Sequence, residues 1–364
     1  MANACKSTGV SAMTSSQTSI EISDLYKIFG SSPRAHVEAV RKGLSKSDLG
    51  SMHGHILGLN NISISMPAGK IQVVMGLSGS GKSTLIRHIN RLIDPTSGSI
   101  MIDGQNVVDM SENELREFRR KKTAMVFQRF GLLPHRSVVD NVMFGLEVRG
   151  VDHGKARATA MRWIERVGLI GFENRFPDEL SGGMQQRVGL ARALSNDASI
   201  LLMDEAYSAL DPLIRTDMQT MLLDLQSELK KTIVFITHDL DEALRLGDKI
   251  VILRDGSIIQ QGDSQDILLR PADDYIRRFV KDVNRGRYIM IDAVMKPVTA
   301  DSAGDMLHHR IRSGLSLEAA ARELASSSFD AALVINERDE PIGAVSLRDI
   351  TAAASSVLDV EQVT

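Results

Sequence analysis

The sequence predicts a large α/β domain followed by a smaller α/β unit, and three observations carry that expectation. Short apolar runs at 71–75, 123–127, 199–203 and 232–236 have the length of buried parallel strands, and each runs into glycine or polar residues suited to a sheet's carboxyl edge. Helical periodicity separates these runs, most extensively from Gly131 to Leu180, where Met161, Ile164 and Val167 share one face. After Tyr288 the pattern restarts with an Ala-rich helix between short strands. A chain of 364 residues suits about two or three domains.

Composition narrows the function classes. With 43% hydrophobic residues, 24% charged residues and a net charge of −3, the chain is an ordinary globular one and offers no basic surface for nucleic acid. Its single cysteine, Cys5, excludes an intrachain disulfide and fits a reducing cytoplasm. Residues 1–19 are rich in Ser, Thr and Ala and are expected to be a disordered tail, neither secretory signal nor anchor. No apolar stretch approaches the ~20 residues that span a bilayer, so membrane association is expected to run through a partner.

Taken in order, Ile20–Ile22 starts a strand that ends at Leu25–Gly30. Phe29 there either stacks on an adenine ring or packs into a core. Residues 31–55 are a polar insert in which Val37, Val40 and Leu44 predict one short surface helix, with Arg34, Arg41, Lys42 and Lys46 on a solvated face. Residues 57–65 alternate as a strand, and Pro67–Lys70 turns the chain into the apolar run 71–75.

The next nine residues, Gly76-Leu77-Ser78-Gly79-Ser80-Gly81-Lys82-Ser83-Thr84, fit G-x-x-x-x-G-K-[ST] between a strand and a helix. Glycines let consecutive backbone N–H groups point inward without a Cβ in the way, which is what a nucleotide's phosphates require. Lys82 adds a point charge and Ser83 a hydroxyl for Mg²⁺, while the helix from Leu85 directs its N-terminal dipole at the phosphates.

Further on, a hairpin strand at 99–102 and a charged helix at 112–122 precede the strand 123–127, which ends at Gln128. Ser181 is a helix N-cap, and Gly182 and Gly183 expose backbone N–H groups behind it, a second anion site. The run 199–203 ends in Asp204-Glu205, two carboxylates that repel unless a cation or water is held there. Walker B chemistry supplies the reason: Asp204 holds Mg²⁺ and Glu205 orients and deprotonates the attacking water. After a loop at 208–212 and a helix at 215–229, the strand 232–236 ends in Thr237-His238-Asp239, so His238 shares an edge with Gln128 and Glu205.

The P-loop at Gly76, Gln128, the sequence LSGGMQQR from Leu180, Asp204-Glu205, the Ser208–Asp211 loop and His238 together resemble the ATP-binding cassette of ABC transporters, over about residues 20–280. That resemblance implies a mixed sheet with a RecA-like core and a helical subdomain at about 131–190, with ATP and Mg²⁺ as cofactors. It implies that two copies meet head to tail, each ATP lying between one P-loop (Gly76, Ser78, Gly79, Ser80, Gly81, Lys82, Ser83, Thr84) and the partner's signature (Ser181, Gly182, Gly183, Gln185). Phe29 becomes the adenine-stacking residue, Glu205 the general base and His238 the γ-phosphate contact. Gln128 becomes the link to membrane permease subunits and, with Ser83 and Asp204, a metal ligand. Arg192 and Asp211 support the dimer interface, Asp211 also facing the nucleotide.

The insert, the wording GLSGSGKSTLIRHINRLI and the C-terminal extension resemble the ATPase subunits of glycine betaine, proline and choline importers, peripheral on the cytoplasmic face of the membrane. Within that resemblance a separate binding protein selects the solute, and Tyr207 stands where Phe is commoner. Residues 273–287 are a charged junction, and 281–364 resemble a linker and a single CBS motif with a regulatory role, its pair formed between subunits or degenerate. Asp349 there either holds a ribose or starts a helix, and His308 and His309 make no metal site.

Overall fold

A computed structural model describes residues 19–128, 130–298, 309–327 and 329–355. The expectations for the N-terminal tail with Cys5, and for His308, lie outside these residues. β1 (Ile20–Phe29) and β2 (Ile56–Met66) pair antiparallel, with Phe29 opposite Ile56. Between them the insert forms a 3-10 turn and two helices, α1 (Val37–Arg41) and α2 (Lys46–His53), where one helix was expected. Only Leu49 of α2 is buried, so that helix has no periodic signal. Val37, Val40 and Leu49 join Tyr26, Ile28 and Leu57 in a small core of their own.

β3 (Ile71–Met75) runs into α3 (Lys82–Ile89), and β4 (Ser97–Ile102) turns into β5 (Gln105–Asn106). α4 (Glu112–Lys121) opens with a reciprocal Ser111–Glu114 capping box and leads to β6 (Thr123–Val126). Three helices follow, α5 (Val138–Val148), α6 (His153–Arg166) and α7 (Gly182–Ser195), closed on a separate apolar core that includes Val142, Ile164 and Val188. The chain then returns through β7 (Ile200–Asp204), α8 (Pro212–Leu229), β8 (Thr232–Thr237), α9 (Leu240–Leu246), β9 (Lys249–Arg254) and β10 (Ser257–Gly262).

Strands β1, β2, β4 and β5 make one antiparallel sheet. The other large sheet has the order β10-β9-β3-β8-β7-β6, parallel except at β10. Every residue of β3, β7 and β8 is buried, which explains why these strands read as unbroken apolar runs. Register sets Met75 beside Thr237, Asp204 beside Ile236 and Val126 beside Met203. The polar residues that follow each strand therefore emerge along one carboxyl edge.

The C-terminal part comprises α10 (Ser264–Leu269), α11 (Asp274–Phe279), α12 (Arg285–Tyr288), β11 (Arg310–Arg312), α13 (Leu317–Ala325), β12 (Ala331–Ile335), β13 (Pro341–Ser346) and α14 (Leu347–Ser355). β11 pairs parallel with β12, and β12 antiparallel with β13. The charged junction is helical and its apolar side is packed: Ile276, Val280, Ile289 and Ile291 belong to the same continuous core as Ile250 of β9 and Leu317 of α13.

Candidate functional site

The turn after β3 depends on glycine at two points. Gly76 has φ +150°, and a Cβ there would lie 2.2 Å from the Leu253 carbonyl oxygen. Gly81, at the N-terminus of α3 with φ +104°, is pressed against the Gly58 carbonyl, where a Cβ would come within 2.7 Å. Lys82 is buried and folds back, its Nζ donating to the carbonyls of Gly76 (2.8 Å) and Leu77 (3.1 Å). The ammonium is thus pinned inside the loop rather than swinging in solvent.

At the end of β7 the two adjacent carboxylates are sent in different directions. Glu205 takes a left-handed backbone conformation, φ +47°, and its N–H donates to the Ile236 carbonyl at 3.1 Å. Asp204 stays in line with the strand and accepts from Ser83 Oγ at 2.9 Å, with Arg87 Nη2 at 3.9 Å from its other oxygen. Burial pushes the Asp204 carboxyl up, while the Ser83 bond and the Arg87 charge pull it partly back. Glu205 lies 3.5 Å from Lys82 Nζ, 3.3 Å from Gln128 Nε2 and 3.6 Å from His238 Nδ1. Each carboxylate therefore has its own cation, which relieves the repulsion foreseen between them. Lys82, Ser83, Gln128, Asp204, Glu205 and His238 converge on one edge of the sheet.

Two groups at this edge escaped sequence reasoning. Arg87 lies four residues after Ser83, so both sit on one face of α3, and that spacing was the available signal. Ser208 donates to the Glu205 carbonyl (2.9 Å) and accepts from Gln128 Nε2 (3.3 Å), bracing the turn that aims Glu205. Tyr207 between them is fully buried, tilted against Phe235, with its hydroxyl donating to the Met218 carbonyl at 3.4 Å. Burial raises that phenol far above its ordinary range.

Phe29 is 38% exposed, so of its two readings core packing is the poorer. Its ring rests on Gly58, where a Cβ would approach to 2.7 Å, and the Gly58 carbonyl abuts Gly81. The ring is one backbone away from the P-loop, with Lys27 Nζ 4.9 Å from its centroid.

The signature stands apart. Ser181 caps α7 by accepting from the Met184 N–H at 3.3 Å, and Gly183 lies against Ile214, which a Cβ would meet at 2.6 Å. Among the described residues no hydrogen bond joins Ser181, Gly182 or Gly183 to the P-loop. Gln185, expected beside the nucleotide, has its amide N–H donating to the carbonyls of Pro177 (2.8 Å) and Leu180 (3.2 Å), the first of which also accepts from the Leu180 N–H. Arg192, expected at a dimer interface, spends its guanidinium on the carbonyls of Gly131 (2.7 Å) and Phe130 (3.1 Å), and burial lowers its pKa. Asp211 is the N-cap of α8, which starts at Pro212 rather than at 215, and accepts from the Ile214 N–H at 3.1 Å. In the tail, Asp349 starts a helix: it accepts from Lys296 Nζ (2.6 Å) and from the Ser346 hydroxyl and N–H. Burial raises that carboxyl, but these bonds together outweigh it and hold it below the usual range.

The arrangement can bind a nucleotide's phosphates, hold a divalent cation by oxygen ligands, and place a carboxylate to accept a proton from water. Residues 59–208 match the ABC transporter family. The chain is 52% identical over 277 residues to the glycine betaine transport ATP-binding protein OpuAA of Bacillus subtilis, covering 76% of this chain and 66% of that protein. It is 44% identical over 342 residues to the glycine betaine/proline betaine transport system ATP-binding protein ProV of Salmonella typhimurium, covering 94% and 84%. Among solved structures it resembles the dimeric ATP-binding cassette MJ0796 in a post-hydrolysis state bound to ADP and Pi, with a TM-score of 0.58 at 30% identity over 67% of this chain and 98% of that one. By its sequence and by the groups gathered at its sheet edge, this chain belongs to the ATP-binding proteins of ABC transporters and is an ATPase of that family.

Proposed function

We propose that the chain is the ATP-hydrolysing subunit that energises import of a quaternary-ammonium osmoprotectant, such as glycine betaine or choline, or of a proline-type solute. It works as two copies on the cytoplasmic face of a membrane, bound to permease subunits and served indirectly by a solute-binding protein. The observation that carries the mechanism is Glu205 held among Lys82, Gln128 and His238 at the sheet edge. The names of the relatives carry the solute class.

In this reading the backbone of Gly76–Thr84 receives the β- and γ-phosphates and Lys82 Nζ contributes the positive charge beside them. The Ser83 hydroxyl and the Asp204 carboxylate, 2.9 Å apart, are a fitting oxygen pair for Mg²⁺, with Gln128 next to them. When bound, Mg²⁺ neutralises charge on the phosphate oxygens. Glu205 accepts the proton of the water that attacks the γ-phosphorus, and His238 steadies the γ-phosphate from the next strand. Phe29 stacks on the adenine. Ser181, Gly182 and Gly183 of a second copy cover the phosphates, expelling bulk water before hydrolysis. The groove of about 680 Å³ between α4, β6, α5 and α7, lined by Arg116, Phe127, Leu133, Phe144 and Arg192, receives a permease segment next to Gln128. Among the described residues no helix is long and apolar enough to cross a membrane, so attachment rests on that groove.

Residues 20–280 form the ATPase unit in this reading, and residues 281–364 a CBS-like regulatory unit. Uptake of labelled glycine betaine, choline and proline is the test, in cells lacking the gene and complemented with wild type or Glu205→Gln. Uptake of one of these solutes restored by wild type alone is expected. Restoration of none of them overturns the solute class, and restoration by Glu205→Gln overturns the role of Glu205.

A further inference from the structure

His238 is half-exposed, and its position is set by its neighbours in the chain rather than by its own packing. The Asp239 N–H donates to Thr237 Oγ1 at 2.9 Å, and Asp239 Oδ1 accepts from the Glu242 N–H at 3.2 Å to cap α9. Thr237 in turn donates its hydroxyl to the Glu242 carboxylate. The residues on both sides of His238 are therefore locked into one small network.

Among the described residues, the cation bonded directly to that network is Arg215, one turn into α8. Arg215 Nη1 donates to Asp239 Oδ2 at 3.0 Å, and Nη2 donates to the Leu210 carbonyl at 3.2 Å. One planar guanidinium thus bridges the Ser208–Asp211 loop and the His238 loop. Its buried Nε has no hydrogen-bond partner and lies 3.9 Å from Glu242 Oε1, too far to bond but aimed at a carboxyl whose ionised form burial disfavours. That carboxylate oxygen accepts instead from Gln219 Nε2 at 3.3 Å.

We propose that Arg215 is a positioning residue that couples the two ATP sites of the dimer. In the two-copy reading on which this rests, the Ser208–Asp211 loop lies at the subunit interface, and His238 touches the γ-phosphate of its own site. Movement of the loop as the partner's site fills is transmitted through Arg215 and Asp239 to His238. Arg215 touches no substrate; it determines where His238 stands.

The test uses the full chain, with steady-state ATPase measured against ATP concentration, ATP affinity by equilibrium titration, ATP-dependent dimerisation by light scattering, and thermal melting. Variants are Arg215→Lys, Arg215→Ala, Asp239→Asn and the double variant Arg215→Ala/Asp239→Asn. A one-ångström misplacement of a catalytic group costs up to roughly 100-fold in rate, so kcat is expected to fall about 10–100-fold. ATP affinity should stay within about twofold of wild type, the Hill coefficient should drop toward one, and the double variant should be no worse than either single. Lysine keeps the charge but not the fork, so Arg215→Lys should fail to restore cooperativity. Folded variants with wild-type kcat and Hill coefficient overturn the proposal, as does a loss of rate matched by an equal loss of ATP affinity. If Arg215→Ala does not fold, Arg215→Lys and Asp239→Asn decide by the same readouts. A wild-type chain that neither dimerises with ATP nor shows cooperativity overturns the two-copy reading, and this coupling with it.

Discussion

The Ser83 hydroxyl donates to the Asp204 carboxylate at 2.9 Å, joining the first turn of α3 to the end of β7 across 121 residues of sequence. The pair proposed to hold Mg²⁺ is thus assembled by the fold, with Arg87 at 3.9 Å screening the carboxylate. Ser83→Ala and Asp204→Asn should each lower ATP hydrolysis by at least about 100-fold, and added Mg²⁺ should no longer stimulate it. Phosphate release measured across a Mg²⁺ titration checks this.

Glu205 is the proton acceptor in the mechanism above, and general-base groups contribute about 10²–10⁴-fold. Glu205→Gln should lose that much kcat while retaining ATP, because the amide oxygen can still accept from Gln128 at little change in volume. The variant should run as an ATP-dependent dimer in light scattering. A monomer at saturating ATP would separate hydrolysis from closure and count against the sandwich arrangement.

Phe29 should contribute stacking rather than fold stability, since its ring is part exposed and rests on Gly58. An aromatic stack is worth about 0.5–1.5 kcal/mol. Phe29→Ala should therefore weaken ATP binding roughly 3–10-fold with an unchanged melting temperature, and Phe29→Trp should restore it. Calorimetric titration with ATP is the measurement.

His88 is fully buried on α3, its Nδ1 on the Thr84 carbonyl at 2.7 Å, and burial lowers its pKa from 6.5 to about 4. The unfolded chain then binds a proton at this site that the folded chain refuses, so folding stability is full above pH 6.5 and falls as pH drops toward 4. Between pH 7 and 4.5 the loss from this group is roughly 2–3 kcal/mol. Urea unfolding at both pH values should show His88→Gln losing less stability than wild type by about that amount.

The tail is fastened to the ATPase unit. Tyr288 donates its hydroxyl to Asp241 of α9 at 2.9 Å, Gln265 bonds the backbone of Tyr288 and Met290, and Ile289 and Ile291 share the core of Ile267 and Leu268. Fully burying an aliphatic side chain is worth about 1.5–3 kcal/mol. Truncation after residue 280 should therefore lower the melting temperature and solubility, while Tyr288→Phe should leave both nearly unchanged. Thermal melts of the two proteins distinguish a packed tail from a tethered one.

Local chemistry made much of this protein legible in one dimension. Strands buried on both faces read as apolar runs, the glycines of the P-loop read as backbone that must turn tightly, and Ser181 read as a cap because its side chain serves an N–H three residues away. The order of Lys82, Gln128, Ser181, Asp204, Glu205 and His238 was enough to point to the ABC family. Where the signal was short or aperiodic it failed: α2 buries one residue, β11 has three, and the charged stretch 273–287 hid two packed helices.

What only tertiary structure decided is which polar groups meet. The left-handed turn at Glu205 parts two carboxylates that the sequence sets side by side, giving one to Ser83 and the other to Lys82, Gln128 and His238. Gln185 and Arg192 bond loop carbonyls of their own subunit, and Arg215 reached Asp239 because α8 and α9 flank β8. The physical reason is range. Propensity, capping and glycine geometry act over a few residues, whereas these contacts follow from strand register and burial between segments far apart in the chain, where most buried polar groups find a partner.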